Sequence, residues 1–197
     1  MGKTVDIKMK KMFFLLALSS IWVNLAYSQT ISSDEVNSEG IRHIHGSLEV
    51  ARDFKDREVF FVGLSAMQID TIYNYFLHVK VIEIGPYSIP KEAVLLLKTN
   101  SGEVITLHAM CDSDASVRDV HSVNGYAYSD YSTIATYPIT KQQLLLLING
   151  VSKIRQETLT GTHNKEYNKD KIGKILKEEY EMISKALLTP KSIYDGF

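Results

Sequence analysis

Ala93-Val-Leu-Leu-Leu-Lys-Thr-Asn-Ser-Gly-Glu-Val-Ile-Thr-Leu-His-Ala109 is the stretch on which the fold turns. Two short apolar runs flank Thr99-Asn-Ser-Gly102, the pattern of a β-hairpin. Asn100 and Gly102 tolerate the positive φ that a tight reversal needs. Leu95, Leu96 and Leu97 are consecutive, so both faces of the first strand are expected to be covered. A covered hairpin in mid-chain needs strands beside it and a helix or second sheet above it. The hairpin therefore sets the class: α+β, built on antiparallel sheet.

Working upstream, Val59–Met67 reads as a buried strand in which Gly63 marks a bulge or a close approach. Thr71–Ile84 is the longest strand pattern. Tyr73, Tyr75, Leu77, Val79 and Val81 fall on one face at period two. Ile41–Val50 is expected to hold a short strand, Arg52–Glu58 a turn, and the polar stretch 29–40 a flexible arm. Downstream, Cys111–Gly125 reads as a polar loop and Tyr126–Tyr137 as one strand or a hairpin. Thr140 and Gln143 have capping-box spacing, Ile139 can staple onto Leu144, and Gly150 ends the short helix between them. Leu144–Ile148 is apolar all round, which predicts a largely buried helix. Val151–Leu159 is another strand. Lys169–Leu188 is a long amphipathic helix with Ile172, Ile175, Leu176, Ile183 and Leu187 in one stripe, stopped by Thr189-Pro190. The expected architecture is an antiparallel sheet or sandwich of about six to eight strands, one short buried helix and a C-terminal amphipathic helix.

The N-terminus is of another kind. Lys3, Lys8, Lys10 and Lys11 precede an apolar run from Met12 to Val23, and Ala26-Tyr-Ser28 offers small residues for cleavage. That is the pattern of a secretory signal peptide over residues 1–28. At about 12 residues the run is too short for a membrane span, which takes about 20. Met9 is a second candidate start. Removal of the leader takes four lysines and one aspartate, turning a formal charge of −1 into −4. It leaves one domain, 41–197, behind the arm, with no transmembrane segment expected. A mildly acidic chain argues against nucleic acid as partner. Cys111 is the only cysteine, so no intrachain disulfide forms and the core alone must hold the fold. That suits a bacterial periplasm or the exterior.

The succession Leu95-Leu-Leu-Lys98, Gly102-Glu103, Tyr137-Pro-Ile-Thr140 and Gly150-Val-Ser-Lys-Ile-Arg155 resembles a group of small secreted bacterial proteins with no assigned function. The resemblance implies export and lends no active site. A second resemblance is local. His121-Ser-Val-Asn-Gly-Tyr126 is similar to the histidine motif of streptopain-like cysteine peptidases. Their cysteine lies far upstream on its own helix, whereas Cys111 is ten residues away, so the nucleophile is missing.

Chemistry-bearing residues are few. His108, Cys111, Asp112 and Asp114 have the types to ligate zinc, and His43 and His45 would share a strand face. The competing reading is a strand-end cysteine beside a solvated acidic turn, and it is preferred: no cofactor is expected. Asp112-x-Asp114 is not a calcium loop, since Val117 and Val123 occupy the positions that need glycine and glutamate. No nucleophile elbow, Walker motif or dinucleotide glycine pattern occurs. The lysines from Lys165 to Lys177 read as a solvated helix face. Tyr126, Tyr128, Tyr131 and Tyr137 lie among small polar residues, the composition of binding loops. The expectation is a secreted, non-enzymatic binding protein that meets a protein or glycan through these tyrosines. The other reading is a small hydrolase or metal-dependent enzyme using His108–Asp114.

The exported protein should lack residues 1–28 and, with Trp22, all tryptophan. Intact mass and emission of the exported material check this; a retained leader or indole emission would contradict it.

Overall fold

In the computed structural model, residues 30–52, 59–192 and 194 are described. The proposed leader, residue 29 of the arm and residues 53–58 of the expected turn lie outside them. The fold is α+β and dominated by antiparallel strands. Eleven strands and two helices occur among the described residues, more strands than the six to eight expected. A seven-stranded sheet contains β1 (Ile31–Val36), β2 (Arg42–Gly46), β3 (Glu49–Ala51), β4 (Val59–Ile69), β5 (Ile72–Ile84), β8 (Ser116–Val123) and β9 (Tyr126–Ile139). Its order is β1-β2-β4-β5-β9-β8, with β3 also on β4. A four-stranded sheet has the order β11-β10-β6-β7, from β6 (Val94–Thr99), β7 (Val104–His108), β10 (Val151–Thr158) and β11 (Gly161–Glu166). The helices are α1 (Lys141–Leu147) and α2 (Ile172–Leu187).

One core draws on both sheets and both helices. Phe60, Val62, Leu64 and Ala66 of β4 face it with Tyr75, Leu77, Val79 and Val81 of β5, the face that the period-two pattern selects. Tyr73, at the end of that face, is exposed instead. The hairpin of the opening stretch forms as expected, with β6 on β7 and Gly102 at φ 93°. Only one face of β6 is covered. Leu95 and Leu97 are in the core, while Leu96 lines a shallow groove with Lys98, Val104, Lys153 and Arg155. Tyr137 of β9 ties the sheets together, its hydroxyl accepting from Gln156 Nε2 of β10 at 2.9 Å.

Three local readings change. Residues 31–36 are not part of a free arm: they pair with β2, and Asp34 accepts two hydrogen bonds from Arg42, both at 2.8 Å. Residues 116–123 are not loop but β8. The strand read as Tyr126–Tyr137 does not stop before Pro138 but runs through it to Ile139, with Pro138 paired with Phe76. The register of β8 on β9 stops at Ser132, so one side of β9 has no β8 partner there and a missing N–H is tolerated.

The capping box of α1 is present as read: Gln143 N donates to Thr140 Oγ1 and Thr140 N to Gln143 Oε1. Burial is one-sided, since Leu144 and Leu147 are in the core while Leu145 is 40% exposed. Helix α2 starts without a cap from its own N-cap residue, Lys171. Asp170 Oδ1 does that work instead, accepting from Gly173 N and Val151 N, each at 2.9 Å. Gly173, a poor helix former, is there for contact. A Cβ at this position would stand 2.7 Å from two backbone atoms, Leu147 O at the end of α1 and Gly150 Cα in the α1–β10 connection.

Helix α2 also carries the residue that closes the large sheet. β2 pairs with β4 at residues 65–68 and β3 at residues 60–62. Gly63 and Leu64 fall in the gap, where Ser47 O comes within 3.0 Å of the Cβ position of Gly63. Leu64 N donates across that gap to Glu179 Oε2. Glu179 is fully buried, and its Oε1 has no partner. Burial pushes its pKa up to about 8 against the opposing Leu64 amide, with Glu49 adding to the rise. Gly46 makes the room, since a Cβ there would come within 3.0 Å of the carboxyl.

Two outcomes follow. Gly173→Ala gains about 1 kcal/mol of helix propensity, yet it must push backbone apart, so a net loss of about 1–3 kcal/mol is expected. Denaturant midpoints check this; a stabilised variant would show that the helix crossing is looser than described. For Glu179, the folded chain holds its proton to higher pH than the unfolded chain. Its contribution is therefore complete below about 4.5 and is lost as pH rises through about 8. Glu179→Gln keeps the acceptor and cannot ionise. It should match wild type at pH 4 and exceed it at pH 8.5, the gap growing by up to about 1.4 kcal/mol per pH unit in between. Parallel stability–pH curves would contradict the buried neutral acid.

Candidate functional site

The candidate site is the β8–β9 hairpin. Its turn is Asn124-Gly125, with φ of 53° and 81°, the two-residue reversal that joins strands most tightly. β9 is paired with β5 only from Asp130 to Ile139. The ribbon from Val120 to Ser129 therefore runs past the end of β5 as two strands alone. Register then decides its faces. Asp119 stands opposite Asp130, His121 opposite Tyr128 and Val123 opposite Tyr126, so these residues share one face. Val120 with Ser129 and Ser122 with Ala127 form the other.

Along the first face, His121 and Tyr128 stack with ring centroids 5.1 Å apart and planes 26° apart. His121 Nε2 is 2.9 Å from Asp130 Oδ2. Arg118, at the register shift between Val117 and Asp119, places Nε 3.3 Å from Asp119 Oδ2. Tyr126 is 80% exposed and Tyr128 40%. The stack fixes the Tyr128 ring while leaving it wet, so a partner would find it already ordered.

The four tyrosines divide. Tyr126 and Tyr128 lie side by side on the hairpin, and Tyr131 is half-buried where the hairpin joins the sheet. Tyr137 is a core residue, its pKa pushed up to about 12 by burial despite the Gln156 hydrogen bond. A side chain with no exposed surface does not offer a contact face, so Tyr137 drops out of the proposed surface.

His108 ends β7, and the loop after it holds Cys111, Asp112 and Asp114; the histidine and both aspartates have hydrogen-bond partners. His108 Nδ1 lies 3.2 Å from Glu92 O, Asp112 Oδ1 accepts from Lys91 N at 2.7 Å, and Asp114 Oδ1 accepts from Ser88 Oγ at 2.8 Å. Cys111 is an exposed free thiol. The two carboxylates thus hold the loop to residues 88–91. His43 and His45 are on β2, in the other sheet from β7, and the joint ligand set is not assembled. Among the described residues, the one group of three or more such side chains with converging ligand atoms is Asp119, His121 and Asp130.

A second cluster lies on the face of the large sheet away from the core. Ser65 Oγ is 2.7 Å from His78 Nε2, and His78 Nδ1 is 3.0 Å from Thr136 Oγ1. His45 stands beside them, ring centroid 5.9 Å from that of His78. A serine and an imidazole at this distance form a nucleophile–base pair. Three features oppose catalysis. Threonine stands where a carboxylate would stabilise an imidazolium. Burial, then the charge of His45, holds the His78 pKa down to about 4. Ser65 is 4% exposed in mid-strand between His45 and Phe76, where no free amides gather to hold an oxyanion. The trio satisfies its own hydrogen bonds.

Sequence reading missed this trio and the Asp119–His121–Asp130 set. Asn124-Gly125 was the signal for the second, because it fixes the register that sets these residues across from one another. Compared with protein families, with curated proteins and with solved structures, the chain matches none, and the resemblance to small secreted proteins rests on the quoted motifs alone.

Proposed function

We propose that this is a secreted, non-enzymatic binding protein that meets a protein or glycan in the envelope or medium through one face of the β8–β9 hairpin. The observation that carries the reading is the exposure of Tyr126 and Tyr128 at i and i+2 on a ribbon that stands clear of the core. Exposed rings cost hydration unless a partner covers them, and tyrosine suits a site that is apolar at the ring and wet at the hydroxyl. His121 and Asp130 beside them supply polar donors and acceptors, and Ala127 and Ser129 on the reverse face are small. Large amphipathic rings among small polar residues are the composition of recognition loops. The leader pattern supports export, and the acidic mature chain supports a partner other than nucleic acid.

Tyr126→Ala with Tyr128→Ala is the variant that tests it. Immobilised wild type should retain a component of the envelope fraction or a glycan on an array, and the double variant should retain at least tenfold less. Its melting temperature should stay within about 2 °C of wild type, because neither ring touches the core. Undiminished capture by a folded double variant would place the contact surface elsewhere.

A further inference from the structure

We propose that Asp119, His121 and Asp130 form a binding site for a divalent transition cation of the zinc class. The three offer one imidazole nitrogen and two carboxylate oxygens, and these atoms all lie within 4.8 Å of one another. A zinc ion with bonds of 2.0–2.2 Å holds tetrahedral ligands about 3.4 Å apart. His121 Nε2 and Asp130 Oδ2 are hydrogen-bonded at 2.9 Å, so the ion would replace the shared proton and part them by about 0.5 Å.

Three further observations favour a cation over a plain ion pair. First, Asp119 and Asp130 are directly opposite in the register, and like charges in that position destabilise a strand pair. His121 answers one carboxylate and Arg118 touches the other at 3.3 Å, but the two acids still face each other. Second, the ligands come from both strands at the point where the ribbon leaves the sheet: Asp130 is the last β9 residue paired with β5, and His121 lies beyond it; a two-stranded ribbon in water is marginal by itself. A metal shared by β8 and β9 staples it. Third, Tyr128 stacks on the His121 ring and fixes the direction in which Nε2 points, the kind of support that ligating histidines receive. The nitrogen ligand selects against calcium and magnesium, which prefer all-oxygen sites. Three protein ligands leave a position for water.

This site stands whether or not the tyrosines bind a partner, and its test uses no partner. The full mature chain, stripped with chelator, is titrated with zinc chloride alone by calorimetry, with magnesium chloride as control. One equivalent should bind with a micromolar dissociation constant, and magnesium should not compete. His121→Ala and Asp119→Asn should each weaken zinc at least tenfold, while His108→Ala and Cys111→Ser leave it unchanged. A nitrogen-15 spectrum of the histidine rings should show the His121 Nε2 resonance move on zinc addition, a signature that loss of folding would not produce. No saturable binding below 1 mM would mean an ion pair only and overturn the proposal. So would zinc binding that survives His121→Ala, or that is lost in His108→Ala or Cys111→Ser.

Discussion

The contact between Glu179 and the Leu64 amide is the constraint on which the rest of the structure depends. β4 is the strand shared by β2, β3 and β5, and its outer edge is interrupted where the chain steps from β2 to β3. An amide left unpaired there would lie buried beneath a helix, at a cost of about 1–3 kcal/mol. Glu179 supplies the acceptor from α2, so the helix completes the sheet as well as covering it. The acid must be neutral to sit there, because a buried carboxylate without a cation is costlier than the amide it satisfies. Gly46 and Gly63 let the connection and the carboxyl approach β4 closely. Gly173 does the same where α2 crosses the α1–β10 connection. A strand break, a helix and the two glycines at the gap thus form one solution to one unpaired N–H.

This arrangement was half legible. The stripe Ile172, Ile175, Leu176, Ile183, Leu187 has a vacancy one turn after Leu176, and Glu179 fills it. Periodicity shows that position 179 faces the core, yet charge alone reads it as solvated. The difference is made by a hydrogen bond to a residue 115 positions away, which no local pattern encodes. The capping box of α1 was legible in full because its partners are three residues apart. The core face of β5 was legible for the same reason, from Tyr75 to Val81: period two is local. β1 was not, because its strand character comes from pairing with β2 and from the Asp34–Arg42 ion pair rather than from apolar alternation.

The hairpin follows the same division. Asn124-Gly125 is the strongest short-range signal in the chain after the central hairpin, but the polar residues of β8 concealed it. Once that turn sets the register, four side chains of different chemistry share one face: two carboxylates, an imidazole and the Tyr128 ring. The tyrosine density of 126–137 had two causes. Tyr126 and Tyr128 belong to a solvated ribbon, while Tyr137 fills the space between the sheets and uses its hydroxyl on Gln156. Composition could not separate the two; distance along β9 from its pairing with β5 does. Of the residues whose types suggest a site, His108, Asp112 and Asp114 tie the end of β7 and its loop to residues 88–92, and Cys111 stays an exposed thiol.

The molecule divides into a closed core, sealed at Leu64, and an open ribbon that carries the proposed interaction chemistry. Residue-resolved amide hydrogen exchange on the metal-free chain at pH 6 tests that division most directly. Exchange at Leu64 should require global unfolding and rank with the slowest amides of β4 and β5, while paired amides from Val120 to Ser129 open locally and exchange orders of magnitude faster. A rapidly exchanging Leu64, or a ribbon as protected as β5, would contradict it.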